Sequence, residues 1–218
     1  MSVAVLVPML GRPHTVAAVR DSLHTSTDAG RCVWICSDGD TDVIDAATAT
    51  GDQVEVVPPR ARGDYAAKIN HGYRVTDEPW LFTGACDIRF HPGWWEACQR
   101  VAKSGAQVIG TNDLGNAHTA SGALSTHTLI ARSYVDVWGT VDQPRTVMHE
   151  GYWHEFVDNE LVETAQSRGL YGHAADAVVE HLHPLWGKAA SDGMYDRALL
   201  RMGQGYPLWK RRRALWRG

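Results

Sequence analysis

The chain has 218 residues, 44% of them apolar and 21% charged, which is enough for one core of ordinary size and excludes the small scaffolds that need disulfide or metal staples. The net charge of −4 is uneven: residues 207–218 carry Lys210, Arg211, Arg212, Arg213 and Arg217 with no acid, which leaves −9 on the remainder and argues against a body that coats nucleic acid. No apolar run approaches the ~18 residues of a membrane span, and the N-terminus lacks the basic start and long apolar stretch of a secretory signal, so a cytoplasmic location is expected. The four cysteines at 32, 36, 86 and 98 are irregularly spaced inside apolar or helical patterns, as packed reduced thiols are.

In chain order, Val3 to Val7 reads as a buried strand closed by Pro8, followed by a turn at residues 11–15 and a helix from Val16 to Leu23. Cys32 to Cys36 is a second strand, residues 38–42 a polar loop, and Val43 to Ala49 a helix. Val54 to Val57 is a third strand, Tyr65 to Tyr73 a helix, and Trp80 to Phe82 a fourth strand. The scheme continues with a helix over Trp94 to Ala102, a strand over Gln107 to Gly110 and a helix over Phe156 to Ser167. A strand at Ala177 to Val179 then empties into Glu180 to Pro184, and a helix runs from Tyr195 to Met202. Strands alternating with helices at this spacing predict an α/β fold: one mostly parallel, Rossmann-like sheet with helices on both faces. There is no internal repeat or linker, and one domain over residues 1–205 is expected, with a basic, aromatic tail over 206–218.

In open α/β sheets ligands bind beyond the carboxyl ends of the strands. The loops there bring Arg12 and His14 after the first strand and Asp38, Asp40 and Asp42 after the second. Arg60, Arg62 and Asp64 follow the third, Asp87 the fourth, and His181 and His183 the late one. Carboxylates, guanidinium groups and imidazoles are thus directed to one sheet edge.

Several of these segments resemble the nucleotide-sugar glycosyltransferases of the GT-A fold, within them the family two group, and among those the small bacterial or phage type. Val3 to Pro8 followed by Gly11-Arg12-Pro13 is similar to the family's opening strand and nucleotide-contacting loop. Ser37 to Asp42 resembles its second loop, Lys68 to Gly72 the segment before its metal motif, and Leu81 to Asp87 with Phe90 to Trp94 the acidic metal motif and the turn after it. The resemblance covers residues 3–190 and implies a nucleotide-sugar half over 1–110 and an acceptor half over 111–205. It implies a donor site that includes Pro8, Gly11, Arg12, Asp38, Lys68, Asn70 and Cys86, and a donor that is a UDP-sugar.

A departing nucleoside diphosphate develops charge that a divalent cation neutralises. Asp87 is the first ligand the resemblance implies, although the family's second acid is absent here: Cys86 precedes it and Arg89 follows. His181 or His183 is expected to complete the shell, and a carboxylate with an imidazole suits Mn²⁺ over Ca²⁺, with Mg²⁺ a weaker substitute. His154 to Leu161 resembles the family's acidic helix start, so Asp158, with Glu160 second, is the expected base of an inverting hexosyl transfer. Trp94, Trp153 and His154 are candidate walls for the acceptor, which is a glycan, a protein, a lipid-linked molecule or a modified nucleic acid. The cationic tail suits contact with an anionic surface. The competing readings are a non-catalytic nucleotide-sugar or glycan-binding module with a degraded metal motif, a nucleotidyltransferase, and a metal-dependent hydrolase built on the histidines.

Overall fold

The computed structural model describes residues 2–216. Its first half comprises β1 (Val3–Pro8), α1 (Val16–Ser26), β2 (Gly30–Ser37), α2 (Thr41–Thr48), β3 (Gln53–Val57), α3 (Asp64–Arg74), β4 (Trp80–Thr83), β5 (Ile88–Phe90) and α4 (Trp94–Ala102). The second half adds β6 (Val108–Asn112), α5 (Ala117–Ala120), β7 (Thr128–Ala131), α6 (Arg132–Val137), α7 (Val157–Ser167), β8 (Tyr171–His181), α8 (Gly193–Leu199) and α9 (Tyr206–Arg213).

The eight strands form one sheet in the order β3-β2-β1-β4-β7-β6-β8-β5. β3, β2, β1 and β4 run parallel, as do β6 and β8, whereas β7 is antiparallel to both neighbours and β5 is antiparallel to β8. The expected α/β class therefore holds, with β5 and β7 as antiparallel additions that the sequence reading did not contain.

The apolar runs are continuous because both faces of the sheet are covered. Along β1 the side chains alternate: Val3, Val5 and Val7 pack with α1, α2 and α4, whereas Ala4 and Leu6 pack with α3, α6 and α7. All four cysteines are buried and free, as expected. Among the described residues no helix is long and apolar enough to cross a membrane.

The basic segment at the end of the chain folds back on the domain. Arg212 is buried and bonds to both Glu160 and Asp142, Arg213 pairs with Glu163, and Trp209 packs against Phe156. Two of the five cations expected to face an anionic surface are thus engaged internally; Arg217 lies outside the described residues.

Candidate active site

The chain leaves β1 for β2 on one side and returns to β4 on the other, so a crevice opens beyond the carboxyl ends of β1 and β4. Gly84 makes this edge compact. Its N–H donates to the Leu6 carbonyl at 2.8 Å, and a Cβ there would stand 2.8 Å from the same oxygen. The next turn presents Cys86 and Asp87.

Asp87 meets His181 because β5 pairs with the end of β8. Ile88 is in register with His181, and the Leu182 N–H donates to the Asp87 carbonyl at 2.8 Å. His181 Nε2 then lies 3.5 Å from Asp87 Oδ2. Two ligands each about 2.1 Å from one ion span this separation, so the pair fits a shared Mn²⁺ or Mg²⁺. Among the described residues no group of three His, Cys, Asp or Glu side chains is placed to hold an ion. A cation here needs oxygen ligands from its substrate.

A strap from the end of the chain lies over this pair. The Tyr195 hydroxyl donates to Asp87 Oδ2 at 2.7 Å, and the Arg12 guanidinium rests 3.8 Å over the Tyr195 ring. Arg12 also forms a two-point ion pair with Asp192, Nε to Oδ2 at 2.8 Å and Nη2 to Oδ1 at 2.9 Å, and stands 3.5 Å from Asp87. Burial alone pushes the Asp87 carboxyl up, but His181 and the Tyr195 hydroxyl outweigh it and hold the group well below the ordinary carboxylate range. The bond from Arg12 draws Asp192 down to about 2. Burial pushes the Cys86 thiol up to about 11, so it stays protonated beside Arg12 at 3.7 Å.

Across the crevice stands Asp158, in the first turn of α7. Its Oδ1 accepts the Asn159 N–H at 2.9 Å, a helix-start contact that favours the anion. Burial nevertheless dominates, with a further push from the charge of Glu155, and raises the carboxyl to about 6. The charge of His181 acts on Asp158, and those of Asp87 and His181 act on His154, so these groups share one electrostatic neighbourhood. Tyr65 meets His154 edge to face at 5.4 Å and donates to the Gly84 carbonyl at 3.2 Å, which ties this side of the crevice to the turn before Asp87.

Arg12, Cys86, Asp87, His181 and His183 thus come together, with Asp158 and His154 facing them. His183 plays a supporting part: its Nδ1 accepts the Leu185 N–H at 3.1 Å, and its ring packs against His181 and Tyr195. Pro8 closes β1, and Gly11, with φ 60°, donates its N–H to the Asp40 carboxylate at 2.7 Å. Asp38 is exposed beyond β2.

Other expected residues are directed elsewhere. Lys68 is buried, and its ammonium donates to the Met9 carbonyl, Ser37 Oγ and the Asp64 carboxylate, each at 2.7 Å, so its three protons are spent inside the domain. Asn70 accepts from Val147 and Met148 N–H and donates to the Met148 carbonyl and Glu150, clamping the segment before α7 instead of reaching a donor. Trp94 is fully buried among Phe82, Phe90 and Trp95, and its indole N–H donates to Ser26; it is core and not a wall of the crevice. Glu160 is buried and held by Arg212 and Tyr152, the latter at 2.7 Å, which leaves it no part as a second base. Trp153 lies under the guanidinium groups of Arg62 and Arg201 in a neighbouring pocket.

Three residues of the site escaped the sequence reading. Tyr195, in the first turn of α8, and Asp192, the residue that caps that helix, lie more than one hundred residues from Asp87, with no local signal of their meeting. His127 is buried, its Nδ1 is 3.2 Å from the Thr83 carbonyl, and its ring meets His181 edge-on at 4.9 Å. Burial holds it down to about 4, so it packs as a neutral ring. Its segment holds one other histidine, His118, nine residues before it, so no local pattern marks it.

No family model matches the chain, and no curated protein matches it in sequence. Solved structures do match. The glucosyl-3-phosphoglycerate synthase of Mycobacterium tuberculosis, in complex with Mg²⁺ and uridine diphosphate, superposes with a TM-score of 0.59 at 15% identity, over 90% of this chain and 74% of that one. The same synthase with Mn²⁺, uridine diphosphate and glucosyl-3-phosphoglycerate gives 0.57 at 14% identity, over 90% and 75%. A mannosyltransferase from Pyrobaculum calidifontis, in complex with GDP-mannose and Mn²⁺, gives 0.62 at 14% identity, over 94% of this chain and 61% of that one. The architecture shared with these transferases is the GT-A fold.

Proposed function

We propose that the protein is a metal-dependent glycosyltransferase that moves a hexosyl group from a nucleoside diphosphate sugar, a UDP-sugar first among them, to an acceptor hydroxyl with inversion. The observation that carries this reading is the pairing of Asp87 with His181, 3.5 Å apart at the switch point of the sheet, opposite a carboxyl raised to about 6. The solved structures with this fold hold Mn²⁺ or Mg²⁺ together with uridine diphosphate or GDP-mannose, which supports the same chemistry here.

Asp87 and His181 would hold the cation, which when bound neutralises charge on the diphosphate oxygens. Arg12 lies beside them to bind the same anion. The acceptor oxygen forms its bond to the anomeric carbon as the bond from that carbon to the diphosphate oxygen breaks; the electron pair leaves with the nucleotide and the acceptor proton passes to Asp158. A carboxyl titrating near 6 is ionised at neutral pH yet basic enough to take a proton late in the step.

The bond from Tyr195 to Asp87 favours the second reading, a nucleotide-sugar-binding module, because it occupies an oxygen that a metal needs. Incubation with a panel of nucleotide sugars and Mn²⁺, with released nucleoside diphosphate measured, separates the two. The transferase reading expects turnover with at least one donor, and loss of both turnover and the UDP–Mn²⁺ thermal shift in Asp87→Ala. A thermal shift without turnover on any donor favours the module, and silence in both measurements overturns both readings.

A further inference from the structure

Beside the crevice is a cavity of about 370 Å³, lined among others by Arg62, His149, Trp153, Gln204, Leu208 and Arg211. This is the size of a small-molecule site. Its charge is unusual for an acidic protein. The Arg62 guanidinium stands 4.4 Å and that of Arg201 4.8 Å from the centre of the Trp153 ring, and Arg211 adds a third cation to the wall.

Among the described residues none of these three arginines forms an ion pair, whereas the arginines around them do: Arg60 with Glu150, Arg212 with Asp142 and Glu160, and Arg213 with Glu163. The nearby acids are otherwise employed. Glu150 is held by Arg60 and Asn70, and Glu155 accepts the Gly203 N–H at 2.6 Å. A guanidinium whose carbon stands over an indole and which has no carboxylate partner retains N–H groups for another acceptor, and such groups match the oxygens of a phosphate in pairs. Three like charges gathered without a counterion are left for a ligand to neutralise.

The position of the cavity adds to its composition. Arg62 is three residues from Tyr65, and Trp153 adjoins His154, and the Tyr65 and His154 rings meet beside the Gly84 turn that leads to Asp87. The chain segments that wall the cavity therefore continue directly into the walls of the proposed site.

We infer that this cavity receives the acceptor, and that the acceptor is a small molecule bearing a phosphate monoester, its phosphate held by Arg62 and Arg211 in the cavity wall with Arg201 beside Trp153 adding to the positive charge, and its free hydroxyl directed to the crevice. The inference rests on the transferase reading for the word acceptor, and on the arginines and Trp153 for the phosphate.

Titration calorimetry of the full chain with glycerol 3-phosphate, inorganic phosphate, glycerate and glycerol tests it, with the UDP–Mn²⁺ thermal shift recorded on the same samples. Glycerol 3-phosphate and inorganic phosphate are expected to bind, and glycerol to give no heat. The double substitution Arg62→Gln with Arg211→Gln, both exposed positions, is expected to weaken the phosphates at least tenfold and to keep the UDP–Mn²⁺ shift, while Arg62→Lys with Arg211→Lys recovers part of the affinity. Unchanged affinity in the glutamine variant overturns the site. Glycerate binding as tightly as glycerol 3-phosphate overturns the phosphate assignment, and a short DNA duplex that displaces glycerol 3-phosphate at lower concentration overturns the small-molecule one. If the nucleotide shift is present and phosphate binding absent, this inference fails alone. If phosphate binds and the nucleotide shift is absent, the transferase reading fails and the anion site stands.

Discussion

Replacement of Asp158 by Asn separates the chemical role of this carboxyl from its effect on the fold. Its rise from the ordinary 3.8 to about 6 means that ionising it inside the protein costs about 3 kcal/mol more than in the unfolded chain, at ~1.4 kcal/mol per pH unit. The group is half-buried and reached by water, so about 1–3 kcal/mol is the expected range. Because the folded value lies above the unfolded one, the native state binds more protons between about pH 4 and 6. The wild type therefore loses this stability as pH rises through that window, and the loss is complete above it. Asparagine never ionises. Urea unfolding at pH 8 should show Asp158→Asn more stable than wild type by about 1–3 kcal/mol, with the gap closing as pH falls from 6 towards 4. Sugar transfer by the same variant should fall by about 10²- to 10⁴-fold, and the wild-type kcat should decline on the acid side with a midpoint near 6. A stability gap that does not vary with pH, or a wild type more stable than the variant at pH 8, would show that burial does not raise this carboxyl.

Three further substitutions probe other parts of the structure. Gly63 has φ 68°, and a Cβ there would collide with the Glu150 carbonyl, so Gly63→Ala is expected to lower stability by more than the ~1 kcal/mol of backbone strain alone, read by denaturant midpoint. Arg212→Met strands Glu160 in the interior at about 3–5 kcal/mol, and the double variant Arg212→Met with Glu160→Met should be milder than either single change in a double-mutant cycle. Tyr195→Phe frees Asp87 Oδ2, so the apparent Mn²⁺ affinity in the presence of UDP should rise by roughly tenfold, the weight of one bond to a charged group; calorimetry showing weaker Mn²⁺ binding would make Tyr195 a contributor to the metal site instead of a competitor.

The parallel strands were legible because burial on both faces makes each an uninterrupted apolar run, and Asp87 and His181 were legible because a strand end is where such a sheet presents its chemistry. Their meeting was not, since β5 is three residues long and carries no periodicity; only its register with β8 brings the two together. The sequence ranks Asp158 ahead of Glu160 as base only by resemblance; the physical difference is that two residues on a helix are turned ~200° apart, so that Glu160 faces the interior while Asp158 does not. The same geometry sends Lys68 to the strand ends and Asn70 to the segment at Val147 and Met148. Trp94 was misjudged because its place after a Pro-Gly turn says nothing of the two phenylalanines that enclose it. Arg212 sits in a basic run that reads as solvated surface, and no local pattern marks one member of such a run as interior.

The tie between Glu160 and Arg212 spans 52 positions of sequence, so its acid is synthesised well before its cation. When α7 leaves the ribosome, the counterion for its interior acid has not yet been made. Until α9 emerges, Glu160 has the Tyr152 hydroxyl but no cation as partner, so the helix bearing Asp158 gains its ion pair only when the end of the chain is free to fold back. A chain halted before that point lacks the cation that fastens α7 to the domain.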